Sequence, residues 1–367
     1  MVETSPLGPL VSDEQVTFRV PDLGADVTEL SLYQEVAWPR SPIPLVRREG
    51  RFELVLPRPP VDRMEYLLQF RHRDGSYGLG LDAWNPKRAA GPFGEKSVVE
   101  FPQYRAPAWT RVAPFPRGTT DDLEIPCPAL VGAMHVRVWS AAGSKDDRPL
   151  PLLVALDGLE YDLYSSLTQL LDATVADGRL PHFRAALLHP IRRDQDYSAS
   201  ARFVEALQED VLPELCRRFP IRSQPGGMVS MGASLGGLAL LHSHWSSPEL
   251  WGGLFLQSAS VFNHGYFAEP LSFEHMERIC AFTEAVHRAR VAAAPIPVTL
   301  TCGLVEETLL ANSAMAASLQ RLGYRARLLR LRDGHNWTAW RDAFVPGLVE
   351  LLRDCWVSKG GEDGHAS

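Results

Sequence analysis

The chain has 367 residues, 45% of them hydrophobic and 22% charged, with a formal net charge of −7. It is long for a single core, so two domains are expected, and the acidic balance argues against nucleic acid or an anionic membrane surface as main partner. The N-terminus lacks the basic and apolar regions of a signal peptide, and no apolar run has the length of a membrane span. Five scattered cysteines (Cys127, Cys216, Cys280, Cys302, Cys355) show no metal-ligand spacing, so reduced thiols in a cytoplasmic protein are expected.

The first hundred residues read as strands. Val16, Phe18 and Val20 alternate with polar residues, as do Phe52, Leu54 and Leu56, and then Met64, Tyr66, Leu68 and Phe70. Glu49-Gly50 and Asp74-Gly75 supply turns between such runs. The spacing predicts a small all-β immunoglobulin-like sandwich over 1–105, with no catalytic constellation of its own. Pro107, Pro114, Pro116, Pro126 and Pro128 then mark 106–128 as a Pro-rich linker.

Beyond it, strands alternate with helices, the pattern of a mostly parallel sheet. Val136–Trp139, Leu152–Leu156 and Ala185–Leu188 are expected strands, with a helix through Leu167, Leu170, Leu171 and Val175 between the last two. A polar loop, 189–200, precedes a helix through Phe203, Leu207, Val211, Leu215 and Phe219 that Pro213 should kink or divide. Gly253–Gln257, Val298–Thr301 and Ala326–Leu331 are further strands, and 263–295 is long enough for a partial lid carrying a helix. Trp337, Trp340, Phe344, Leu348 and Leu351 make a closing helix. The catalytic domain is thus expected over 129–358, with a disordered tail at 359–367.

The chemistry centres on Gly232-Ala233-Ser234-Leu235-Gly236, a G-x-S-x-G between an apolar strand and a helix. Small residues are needed at Gly232 and Gly236 for the turn to close, the Ser234 hydroxyl is then exposed, and the Leu235 N–H faces the developing oxyanion. An ester-cleaving serine needs a base and a group that orients that base. In the α/β-hydrolase order of nucleophile, acid and base, the chain offers Ser234, then Glu306 or Glu307, then His335, with Asp333 a further contender for the acid. His189 and His264 are the loop histidines that rival His335. Asp157-Gly158-Leu159, after the strand ending at Leu156, is expected to give the second oxyanion donor from the Leu159 N–H.

These segments resemble the enterochelin esterase-like α/β-hydrolases over nearly the whole chain: Leu156-Asp157-Gly158, Gly232 to Gly237, Gly303-Leu304-Val305-Glu306 and Asp333-Gly334-His335-Asn336. The resemblance implies an α/β-hydrolase domain behind an immunoglobulin-like domain, and a serine esterase whose substrates include siderophore trilactones. It favours Glu306 as the acid, which lies three residues after the glycine. It also brings Asp157, Gly158, Arg192 and Arg193 to the substrate, where the arginines would meet an anion. Apart from the resemblance, Trp337 and Trp340 are candidate pocket walls or, at least as readily, the first turns of a core helix. A small-molecule ester, in this family an iron-siderophore, is the implied partner, and no metal or organic cofactor is implied. Asp157-Gly158-Leu159 is similar to mycolyltransferases as well, so an acyltransferase with the same triad stays open, as does a non-catalytic carbohydrate-binding or scaffolding role. The sequence leaves the oligomeric state open.

Overall fold

A computed structural model describes residues 7–37, 40–111, 115–144, 148–224, 226–266 and 273–357. The chain divides into two compact units. One comprises residues 1–106 with 303–307 and 330–339, and the other comprises 107–302, 308–329 and 340–367.

In the first unit the strands are β1 (Leu10–Val11), β2 (Gln15–Pro21), β3 (Val27–Gln34), β4 (Ile43–Pro44) and β5 (Val46–Arg48). They continue with β6 (Arg51–Pro57), β7 (Arg63–His72), β8 (Tyr77–Gly80), β9 (Arg88–Ala89) and β10 (Lys96–Glu100). They form two antiparallel sheets, β1-β2-β6-β5 and β4-β3-β7-β10-β9, with β8 paired to β7. The alternating residues Val16, Phe18, Val20, Phe52, Met64, Tyr66 and Leu68 bury into one core, the all-β sandwich that the period of two predicts. Strand β7 departs from simple alternation: Arg63 and Glu65 are buried as well as Met64 and Tyr66.

The second unit is built on one sheet, with β11 (Thr119–Cys127), β12 (Gly132–Ser140), β13 (Leu152–Leu156), β14 (Arg184–His189) and β15 (Met228–Ala233). The remaining strands are β16 (Gly253–Gln257), β17 (Pro297–Gly303) and β18 (Arg325–Leu331), and the order is β11-β12-β14-β13-β15-β16-β17-β18. β11 and β12 run antiparallel, and β14 through β17 are parallel to one another. All residues of β13 and β16 are buried, as the unbroken apolar runs require of strands covered on both faces. The mixed sheet with helical crossovers is the α/β-hydrolase fold.

Several expectations differ in detail. The second half of the expected linker is β11, paired along its whole length with β12; its one proline, Pro126, is tolerated because this is an edge strand. The polar loop after β14 contains a short helix, Arg193–Tyr197, and a helix missed in the sequence, Gly158–Ser165, follows β13 at once. Pro213 divides its helix: Ala201–Glu205 passes through a π-helical stretch, Ala206–Val211, into Leu212–Arg218, so the wider turn absorbs the missing N–H donor. The closing helix is also split, into Trp337–Asp342 and Val349–Trp356. Part of the expected lid, 267–272, and the tail, 359–367, lie outside the described residues, while the lid's helix forms at Met276–Arg288. Among the described residues no helix is long and apolar enough to cross a membrane.

Candidate active site

Ser234 sits at the junction of β15 and the helix Leu235–Ser246 with φ 54° and ψ −121°. A side chain at positive φ is strained, and neighbouring bonds hold it there. Its N–H donates to the Gln257 carbonyl (2.9 Å), its carbonyl accepts from Ser260 N–H (3.0 Å), and its Oγ lies 3.1 Å from Ser260 Oγ. The turn closes because Gly232 has no side chain: a Cβ there would lie 2.7 Å from the Gly236 carbonyl carbon. The same need does not hold at Gly236, where a Cβ would make only ordinary contacts, 3.5 Å from Leu156 Cβ and Asp157 Oδ2. Gly236 matters instead as the backbone that Gly232 must clear.

Those contacts also bring the elbow beside the turn after β13. Asp157 is in the left-handed region (φ 52°) and is 2% exposed. Arg193 grips it with both nitrogens of a fork, Nε to Oδ1 at 2.9 Å and Nη2 to Oδ2 at 2.7 Å. Burial raises the Asp157 carboxyl above its ordinary range, and Arg193 opposes that rise. Gly158, the first residue of its helix, packs on β14; a Cβ would lie 2.4 Å from Leu187 Cα. Leu159 and Leu235 both stand in the first turns of their helices, ahead of the first intrahelical bonds, Tyr161 N–H to Asp157 O and Leu238 N–H to Ser234 O. N–H groups in that position are the natural donors to an anion.

The acid and base candidates lie on the loops after β17 and β18, within the first unit. His335 Nδ1 is 2.7 Å from Glu306 Oε2, and Glu306 is 1% exposed at its side chain against 27% for His335. Glu306 Oε1 accepts from Gly303 N–H at 2.6 Å. Gly303 is obligatory there: a Cβ would lie 2.3 Å from the Asp333 carbonyl oxygen and 2.8 Å from Glu306 Oε1. Burial pulls the imidazole down, but the adjoining Glu306 carboxylate more than offsets it, leaving His335 above its ordinary value of 6.5.

The adjacent carboxylate turns elsewhere, with Glu307 pairing with Arg40 at 3.0 Å. Asp333 closes the local turn, accepting from Gly334 N–H (2.7 Å) and Asn336 Nδ2 (2.8 Å). The rival histidines are exposed and sit beside carboxylates, His189 near Glu160 and His264 near Glu277. His242 and His244, on the helix after Ser234, are driven down to about 4 by burial.

Of the expected substrate residues, Arg193 is committed to Asp157, and Arg192 is exposed with Nη2 donating to the Leu130 carbonyl at 2.9 Å. Trp337 opens its helix partly buried, 3.9 Å from the Cβ position of Gly91, whereas Trp340 is buried and donates to Ser258 Oγ at 3.0 Å. Sequence reasoning missed Arg63 and Asn336. Asn336 caps the helix by accepting from Ala339 N–H at 2.9 Å, and the Arg63 guanidinium reaches Asn336 Oδ1 at 3.3 Å. No local signal marks Arg63, because Arg63 and Glu65 alternate with Met64 and Tyr66 and so read as the solvent face of a strand.

The sheet order and a strained serine between strand and helix define an α/β-hydrolase. A family model described as "Putative esterase" matches residues 128–351, and the chain belongs to that family, as the motifs of the nucleophile, acid and base loops led us to expect. Among curated relatives, the iron(III) enterobactin esterase of Dickeya dadantii is 27% identical over 226 residues, 59% of this chain and 51% of that protein. The protein of the same name from Escherichia coli K12 is 26% identical over 224 residues, 59% of this chain and 53% of that one. The chain therefore spans about half the length of the curated relatives it matches. Two crystal structures share the fold. The enterobactin esterase of Shigella flexneri, determined in the presence of enterobactin, has a TM-score of 0.76 at 21% identity, covering 96% of this chain and 97% of that one. The ferric enterobactin esterase of Salmonella typhimurium has a TM-score of 0.77 at 20% identity, covering 95% and 96%.

Proposed function

We propose that this protein is a cytoplasmic serine esterase that cleaves the trilactone ester of a catechol siderophore through a Ser234–His335–Glu306 triad. The observation that carries the proposal is the strained Ser234 (φ 54°) held at the head of a helix beside the Asp157 turn. Strain at a side chain of this reactivity is the cost of presenting a nucleophile. Support for the base comes from the His335 Nδ1–Glu306 pair, which sets the tautomer with Nε2 able to take a proton.

In the proposed reaction His335 removes the Ser234 proton as Oγ attacks the ester carbonyl. The oxyanion is held by the N–H groups of Leu235 and Leu159, each such donor contributing roughly 2.7–4 kcal/mol to the transition state. Collapse expels the alkoxide, which takes the proton from His335, and leaves an acyl-enzyme that water cleaves by the reverse proton path. The iron of a ferric siderophore is part of the substrate. The substrate class rests on the two curated enterobactin esterases and on family membership. The proposed location rests on the sequence alone, on five scattered cysteines without metal-ligand spacing.

The test is hydrolysis of p-nitrophenyl butyrate and of iron-free and ferric triscatecholate trilactones by wild type and Ser234→Ala. The expected result is turnover by wild type and a loss of at least about a thousandfold in the variant. Unchanged activity in Ser234→Ala would overturn the proposal.

A further inference from the structure

We infer that Arg63, in the N-terminal β-domain, is a positioning residue for the base, holding the loop Asp333–Asn336 on which His335 is carried. The inference rests on the reading of His335 as the base.

Arg63 begins β7 and is 3% exposed. Its Nη2 donates to Glu65 Oε1 at 2.8 Å, while Nη1 lies 3.3 Å from Asn336 Oδ1 and 3.6 Å from Asp333 Oδ2. One guanidinium thus meets both residues that bracket Gly334-His335. Those two residues are tied to each other and to the loop backbone through Gly334 N–H and Ala339 N–H. Glu65 is in turn 3.8 Å from Lys96, which pairs with Glu35 at 2.7 Å. The result is a row of alternating charges, Glu35, Lys96, Glu65, Arg63 and Asp333, running across the domain to the base loop.

A guanidinium buried this deeply is costly unless every side is paired, so it is expensive as packing alone. What it supplies is a planar fork with two directions of donation, which a lysine lacks. Burial pushes the Asp333 carboxyl up to about 6, with Arg63 the main counterweight. The base loop needs such an anchor because Gly334 gives it no side chain to pack. Acid and base are then held by different means: Glu306 by Gly303 N–H, with Val305 packed on the β-domain core, and His335 by Glu306 at the ring, with Arg63 on the flanking Asp333 and Asn336 side chains. A base displaced by about 1 Å costs up to about a hundredfold in rate.

The test compares full-length wild type, Arg63→Met, Arg63→Lys and Asp333→Asn on p-nitrophenyl butyrate, with active sites counted by a fluorophosphonate. Arg63→Met is expected to lose about 10- to 100-fold in kcat per active site with KM within about twofold. The rising limb of its kcat/KM profile should move to lower pH as the His335–Glu306 pair loosens, in a setting where Glu307 and Arg40 are the other charges near the ring. Arg63→Lys should recover part of the kcat loss. Wild-type kcat per site and an unmoved profile in a folded Arg63→Met, whatever its melting temperature, would overturn the inference. If Arg63→Met does not fold, Asp333→Asn decides, with a loss of about 3- to 10-fold and the same shift expected, and no change overturning it. His335→Ala separates the two ideas. If it stays active, the reading of the base fails; if it is inactive while Arg63→Met matches wild type, only the present inference fails.

Discussion

Two adjacent glutamates at the end of β17 have opposite fates, and the difference is one of hydrogen bonding. Glu306 is buried between Gly303 N–H and His335, whereas Glu307 meets Arg40. With His335 raised above 6.5 by Glu306, kcat/KM should rise with pH and reach its plateau only above that value, because the base must be neutral to accept a proton. Glu306→Gln should lower the rate by about 10²- to 10⁴-fold and move the limb below its wild-type position, since burial then outweighs the smaller pull of Glu307. Glu307→Gln should leave both within about twofold. A pH–rate series on the three proteins checks this, and the opposite pattern would reassign the acid. The same pair affects stability with a definite sign. A histidine raised in the folded state stabilises it fully below the ordinary value and loses that contribution as pH rises through the raised value.

At the level of elements, the elbow separates two glycines that look equivalent in the motif. Gly232→Ala would drive a Cβ to 2.7 Å from backbone, so the strand or helix must shift. A loss of about 1–3 kcal/mol in stability is expected, with a fall in activity. Gly236→Ala meets only ordinary contacts within a helix and should be neutral or stabilising by about 0.4–1 kcal/mol. Denaturant unfolding of the two variants measures the contrast, and equal destabilisation would contradict this account of the turn. Elements were legible in the sequence where one signal dominated: the apolar runs of β13 and β16, and the alternation in β2 and β6. They were not where two signals competed. Thr119–Cys127 pairs as a strand although Pro126 and the prolines flanking it read as linker, and Gly158 starts a helix directly at a position that reads as the end of a turn.

For the whole molecule, the acid and base loops belong to the same compact unit as the β-domain, although the sequence places them deep in the hydrolase half. Local pattern could not reveal this, because an arginine at an alternating polar position of β7 reads as facing solvent. Its burial depends on loops more than 200 residues further along the chain. Ser234, Glu306 and His335, by contrast, were legible as candidates because each follows a strand, β15, β17 and β18. On the substrate, the account predicts that a ferric or iron-free triscatecholate trilactone is converted to linear catechoyl-serine products, followed by chromatography. Activity confined to simple acyl esters would remove the siderophore from the proposal while leaving the esterase.

The central claim, that Ser234 carries the acyl group, is tested most directly by rapid acid quench during turnover of a p-nitrophenyl ester followed by peptide mass spectrometry. The account predicts an acyl adduct on the peptide containing Ser234, formed at the rate of the p-nitrophenol burst and absent from Ser234→Ala. Turnover at the wild-type rate by Ser234→Ala, or an adduct on another residue that forms and decays fast enough to account for turnover, would contradict it.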